Sequence, residues 1–175
     1  MPMLLNVLIF ITFFMIAAMG FRRGFWWSLV HFLCTAASFK TAAALYAPVA
    51  KRLELFLPFP KTQAAQTHYF IEYHHIHLRF ESIVAFILIF LMSKFILYLI
   101  VTAFDKITYV QPLSIMNRSF GVIISFLSSV MIVLLVLYLC SLYPSVLIQQ
   151  QFAQSVIAQL ILFQTPYLSS FVMTL

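Results

Sequence analysis

Charge is scarce in this sequence. Only 8% of its 175 residues are charged and 64% are hydrophobic, with a mean hydropathy of +1.06. Soluble domains typically carry about 25% charged residues. Ten Lys and Arg and four Asp and Glu are too few to cover a globule of this size with solvated side chains. The composition therefore excludes a water-soluble domain, and it also excludes intrinsic disorder, which requires low hydrophobicity and high charge.

Glycine and cysteine are scarce as well, with three and two residues. The few glycines and the lack of a periodic repeat exclude collagen-like and solenoid architectures. Cys34 and Cys140 both lie inside apolar runs, which indicates small buried thiols rather than a disulfide framework. The sequence also lacks nucleophile-elbow, zincin and P-loop motifs, and no paired carboxylates fall in an apolar run. It therefore predicts that the protein is not an enzyme and binds no cofactor or metal.

The formal net charge of +6 does not indicate nucleic-acid binding, because the basic residues are scattered between apolar runs without a basic stripe. Lys and Arg mark the cytoplasmic loops of membrane proteins and contact anionic lipid headgroups. The expected partner is therefore the lipid bilayer.

Four apolar runs are long enough to cross a bilayer as helices, and runs of this length are not barrel strands. A polar loop, residues 48–81, separates the second run from the third. We therefore predict an all-α fold, an integral membrane bundle of four transmembrane helices over residues 1–143. The predicted spans cover residues 3–20, 25–47, 83–104 and 119–143.

The remaining segment, residues 144–175, carries no charged side chain. Its glutamines argue against a fifth span. Between residues 149 and 163 the spacing predicts one amphipathic helix, which lies in the membrane interface or packs on the bundle. The predicted apolar face consists of Phe152, Ala153, Val156, Ile157, Leu160 and Ile161, and the polar face of Gln150, Gln151, Gln154, Ser155 and Gln159.

Four spans place the first turn and the third loop on the same side of the membrane. Arg22, Arg23 and Arg118 are then expected to form a basic cluster at one surface, with Asp105 paired to one of them or to Lys106. Such a cluster favours anionic headgroups by about 1 kcal/mol per basic residue. Because the first helix usually dominates orientation, we expect the Arg22-Arg23 turn to be cytoplasmic.

Lys94 lies near the middle of the third run, where an ionised side chain costs about 2.5–3.5 kcal/mol to insert. Two interpretations stay open: an ion or substrate contact in a pore, or a lysine that snorkels or reaches polar groups inside the bundle.

Gly121, Ser125 and Ser129 recur every fourth residue on the fourth run, a pattern that lets another helix approach closely. This face fits either tight packing within one chain or a seam between the subunits of a homo-oligomer.

Histidines cluster in the polar loop. His74, His75 and His77, with His68 and Glu72, form a weak metal-binding pattern, because their spacing matches no standard site. A loop that gains charge as pH falls is the favoured interpretation.

Three segments resemble one family. The Gly20-Phe21-Arg22-Arg23-Gly24-Phe25 turn is similar to a G-[YF]-x-R-G-[FL] signature. The third run, with Ala85-Phe86 and Phe90 and an Asp105-Lys106 end, looks like an aromatic-rich third helix. The L-S-I-M-N-R-S-F-G segment after Pro112 resembles a proline followed by L-N-R-x-x-G. Together these segments, within residues 3–143, resemble the colicin V production protein (CvpA) family of small bacterial inner-membrane proteins.

The resemblance implies a multi-pass protein of the bacterial inner membrane linked to bacteriocin production and envelope homeostasis. Asn6 stands where the family often has Asp, and Trp27-Ser28 stands where it often has Glu. Ser125 and Ser128-Ser129 stand where further glycines usually follow. Two functions are expected to compete: an accessory or scaffold protein with a membrane-protein partner, and a small channel or transporter subunit with Lys94 lining a polar path.

Overall fold

The computed structural model describes residues 4–53, 64, 67, 69–71, 75–108, 114–165 and 168–174, without the side chains of residues 105–108 and 173–174. The described residues form helices and contain no strand, so the predicted all-α fold is confirmed. The helices are α1 (Leu4–Leu53), α2 (Ile76–Thr108), α3 (Ile115–Leu142), α4 (Val146–Gln154), α5 (Val156–Gln164) and α6 (Leu168–Thr174).

Three of these helices, α1, α2 and α3, are long and apolar enough to cross a membrane. Large apolar side chains lie exposed along their outer faces, as in Phe14, Met92 and Phe95, which are 77%, 65% and 61% exposed. A helix that is apolar on its outer face requires lipid around it. The chain is therefore an all-α membrane bundle, and the number of crossings stays a prediction.

The longest helix, α1, is broken at Gly24, whose φ of 76° and ψ of −178° are accessible almost only to glycine. We call residues 4–23 the N-limb and residues 25–53 the C-limb. Ser28 Oγ donates a hydrogen bond of 3.4 Å to the Gly20 carbonyl oxygen. In a straight helix two residues eight positions apart are about 12 Å apart. The two limbs therefore fold back on each other at Gly24.

Helix α3 packs against both limbs in opposite directions. Along the N-limb, Gly20 lies against Gly121, whereas Leu5 and Cys140 line one groove near the other end of α3. The N-limb is therefore antiparallel to α3. Along the C-limb the direction is reversed: the Phe25 and Phe120 ring centroids are 6.2 Å apart, and Ser28 follows beside Ser125.

Helix α2 packs antiparallel to the C-limb. Lys94 contacts Thr35, and eight residues earlier in α2 the Phe86 ring lies 5.0 Å from that of Phe39. Phe86, together with Tyr138 of α3, is fully buried. The apolar core thus lies between the C-limb, α2 and α3, at the end of the bundle away from Gly24.

Several helix ends differ from their sequence-based bounds, and two of them differ by six or seven residues. The second run was expected to end before Pro48, but α1 continues to Leu53. Pro48 is exposed and Ala50 is buried, so packing of the inner face carries the helix past the proline. Helix α2 begins at Ile76 rather than Ile83, and Arg79 Nη1 in its first turn donates a 3.3 Å hydrogen bond to Tyr138 Oη.

The C-terminal segment is not one amphipathic helix. Helices α4 and α5 meet at Ser155 with a bend of 85°. The predicted faces are therefore wrong in part: Val156 and Leu160 are 73% and 53% exposed, whereas Phe152 is buried. Ser155 is buried, hydrogen-bonds Asn6 of the N-limb, and caps α5 by accepting from the Ala158 N–H. These polar contacts favour the break, which spacing along a single helix cannot reveal.

The predicted polar glutamines serve as hydrogen-bonding groups inside the fold. Gln149 is buried; its Nε2 donates to the carbonyl oxygens of Ser141 and Tyr143, and its Oε1 accepts from the Phe70 N–H. Gln151 Oε1 accepts from the Leu5 N–H at 3.3 Å. These amides satisfy backbone groups at helix ends and, at Phe70, in a segment outside the helices, which lipid cannot do.

Replacing Gly121 by leucine should destabilise the bundle. A Cβ atom at this position would lie 2.5 Å from the Gly20 carbonyl oxygen and 2.7 Å from the Gly24 carbonyl carbon, both backbone atoms. Overpacking of this kind costs at least about 1–3 kcal/mol. We expect a lower melting temperature for Gly121→Leu in detergent. Ser119→Leu, at an exposed position of the same helix, should melt as the wild type does; equal melting of the two variants would contradict the close approach.

Candidate functional site

The two glycine-containing sequence motifs meet in space. Gly121 of α3 lies against Gly20 and Gly24 on either side of the turn between the limbs. One turn earlier, Asn117 Oδ1 accepts a 2.9 Å hydrogen bond from the Phe25 N–H. That N–H belongs to the first turn of the C-limb and has no partner within its own helix. We call this contact region the turn junction.

The basic residues predicted to cluster lie at or near the turn junction. Arg118 Cζ lies 5.6 Å from the centroid of the Phe21 ring, a cation–π contact beside Arg22. Arg22 is exposed, whereas Arg23 is half-buried and turns toward the bundle. The side chain of Asp105 lies outside the described residues, so its predicted ion pair stays a prediction, as does lipid binding by the cluster.

A cavity of about 200 Å³, partly open and with a mixed polar and apolar lining, lies between the helices next to the turn junction. Both limbs of α1, α2 and α3 contribute to its walls. Its polar lining consists of Arg23, His31, Cys34, Thr35, Lys94, Tyr98, Ser125 and Ser128, and its apolar lining of Ile16, Met19 and Ile132.

Lys94 reaches this cavity and is fixed there by the C-limb. Its Nζ donates a 2.8 Å hydrogen bond to Thr35 Oγ1 and lies 5.6 Å from the centroid of the Phe90 ring. The Thr35 hydroxyl in turn donates to the His31 carbonyl oxygen at 2.8 Å. Because the hydroxyl proton is used there, the Thr35 oxygen is oriented as an acceptor for the ammonium group.

Serine hydroxyls connect the cavity to the turn junction. Ser125 Oγ donates to Ser28 Oγ at 3.3 Å, and Ser28 Oγ donates to the Gly20 carbonyl oxygen. Ser125 and Ser28 are both buried. Ser125 therefore lines the cavity and is also linked, through the Ser28 hydroxyl, to the turn at Gly20.

The small-residue face of α3, formed by Gly121, Ser125 and Ser129, packs against other parts of the same chain. Gly121 and Ser125 contact α1, and Ser129 is fully buried, with its Oγ donating to the Phe126 carbonyl oxygen at 2.6 Å. Of the two interpretations of this face, the geometry supports close packing inside one chain.

The histidine pattern is only partly described. The His75 and His77 rings lie 6.4 Å apart at the start of α2. Within the described ranges no group of three metal-binding side chains comes together. His68, Glu72 and His74 lie outside the described residues.

Sequence patterns identified Lys94 but missed most of its neighbours. Thr35 and Tyr98 lie in runs that are apolar on every side, so no periodicity indicates which face is internal. One signal was available: His31, Thr35 and Ser38 fall at spacings of three and four residues, on one helical face. Thr35 and Ser38 are buried, as a polar internal face requires.

These features define a class: a helical integral membrane protein with a cavity between its helices that basic, hydroxyl and apolar side chains line. The chain belongs to the colicin V production protein family, whose model matches residues 5–166. It is similar to an uncharacterized transmembrane protein, YshB, from Bacillus subtilis (strain 168), with 27% identity over 166 residues, which cover 95% of this chain and 93% of that protein. No solved structure matches it.

The Asn117 contact yields a prediction about the turn junction. Asn117→Ala removes the acceptor of the Phe25 N–H, which should cost about 0.5–2 kcal/mol. We expect a lower melting temperature and faster hydrogen exchange at the Phe25 amide. Asn117→Asp keeps an acceptor oxygen and should retain most of the protection. Unchanged exchange at Phe25 in the alanine variant would show that the hydrogen bond contributes nothing.

Proposed function

We propose that this protein is an accessory or scaffold component of the bacterial inner membrane that supports bacteriocin production or export and envelope homeostasis. The family match over residues 5–166 carries this proposal, because the family is described by its part in producing colicin V. The proposed mode of action is binding and contact, not catalysis.

The outer surface of the bundle supports contact within the membrane plane. Trp26, Phe14 and Phe95 are 70%, 77% and 61% exposed, and they lie on the C-limb, the N-limb and α2, respectively. Aromatic side chains supply large contact area at low entropic cost, and Trp is favoured where a membrane meets water. This surface suits lipid, a membrane-protein partner or a second copy of the chain.

A deletion strain tests the accessory role. In a bacterium that carries this gene and produces a peptide bacteriocin, deletion should reduce secreted bacteriocin relative to the cell-retained amount and increase sensitivity to detergents. Complementation with the wild-type chain should restore both. A scaffold acts through its outer surface, so Lys94→Met should complement equally well. Normal secretion in the deletion strain would refute the accessory role.

A second candidate function is favoured by the cavity. Lys94 lines the cavity, to whose walls both limbs of α1, α2 and α3 contribute. Positively charged linings select anions in pores and transporters. We therefore also propose that the chain is a channel or transporter subunit for a small anion, in which case Lys94→Met fails to complement the deletion.

Flux through proteoliposomes tests the second candidate. Wild-type protein should release trapped phosphate or chloride above the protein-free rate, and Lys94→Ala should reduce the rate about tenfold, equivalent to about 1.4 kcal/mol. Lys40→Ala is the matched control, because Lys40 lies in α1 but is exposed. Equal flux through the Lys94 and Lys40 variants would exclude a path along Lys94.

A further inference from the structure

We propose that the cavity between the limbs of α1, α2 and α3 is a binding site for a small oxyanion, with the Lys94 ammonium and the Arg23 guanidinium as its charged donors. This site deepens the transport candidate, on which it rests for the anion's route through the membrane. Binding itself is measurable without transport, so the two can be tested separately.

The first support is an excess of positive charge with no described carboxylate to balance it. Lys94 and Arg23 both line the cavity. Of the acidic residues, Glu81 is the one whose side chain is described, and it precedes Lys94 by 13 positions on α2. At 1.5 Å per residue the two are about 20 Å apart along the helix. The positive charges of Lys94 and Arg23 face one space between the helices, and a bound anion provides the counter-charge.

The second support is the set of donors. A lysine ammonium has three N–H donors, and the acceptor that the described residues offer it is Thr35 Oγ1 at 2.8 Å. The Thr35 hydrogen bond holds the ammonium at the cavity wall. Arg23 adds a planar fork of N–H groups, which matches two oxygens of one carboxylate or phosphate. A point charge and a fork on different helices suit an oxyanion with several acceptor oxygens.

The third support is size. One water occupies about 30 Å³ of liquid volume, so a cavity of about 200 Å³ accommodates several water-sized groups. That is enough for phosphate or a short carboxylate with some of its hydration. Cys34 lies in the same wall, so its thiol reports directly on whether the cavity is filled.

Cys34 alkylation tests the site in the full-length protein. The chain has two cysteines, so a Cys140→Ala background leaves Cys34 as the reporter. In detergent, iodoacetamide should modify Cys34, and inorganic phosphate at about ten times its dissociation constant should slow the reaction about tenfold. Sodium chloride at the same ionic strength should protect less. Phosphate protection should be lost in Lys94→Met and weakened in Arg23→Gln, but retained in Lys40→Met.

Each outcome has a defined meaning. Protection by phosphate supports a soluble oxyanion, whereas protection by phosphatidylglycerol alone supports a lipid phosphate as the source of the same chemistry. Protection by neither, or undiminished protection in Lys94→Met, overturns the site, as does a Cys34 that never reacts in the folded chain. Phosphate protection without flux keeps the site and refutes transport; flux without protection refutes the site alone.

Discussion

The close approach of Gly121 to Gly20 and Gly24 is the contact on which the rest of this bundle depends. Helices in lipid gain little from hydrophobic burial against each other, so van der Waals contact between backbones has to hold them. Even a single Cβ atom at Gly121 would overlap backbone atoms of the turn. This contact positions α3 between the two limbs of α1. It therefore determines which residues of α1 lie beside the part of α3 that follows Gly121.

The polar side chains of the bundle fall into two groups, those that hydrogen-bond within their own helix and those that join separate segments. Most hydroxyls return to a carbonyl of their own helix, as Thr12, Ser38 and Thr102 do, which removes them from lipid without specifying a partner. Other polar contacts join separate segments of the described chain. The hydrogen bond between Asn117 and Phe25 lies at the turn junction, and the one between Lys94 and Thr35 lies in the cavity. The hydrogen bond between Arg79 and Tyr138 lies at the end of the bundle away from the turn junction. These contacts fix helix rotation, which apolar surfaces alone leave open.

The sequence predicted the structural features that depend on local composition. It did not predict the features that depend on contacts between distant parts of the chain. The helical class, the small face at Gly121 and the unusual position of Lys94 could all be recognised from the residues alone. The bend at Ser155 could not, because it depends on Asn6 far away in the chain. Likewise, nothing local indicates that Thr35 would meet Lys94, since both helices are apolar around most of their circumference. Local pattern predicted that helices exist, and long-range polar contacts determine how they are rotated.

The turn junction and the cavity are coupled through shared residues. Ser125 lines the cavity and donates to Ser28, which donates to Gly20 at the turn. Arg23 belongs to the same turn and reaches the cavity, next to the glycine that breaks α1. The two sequence motifs that resemble the family signatures therefore do more than close a hairpin. By fixing the turn against α3, they place a guanidinium on one side of the cavity while Thr35 holds an ammonium at its wall.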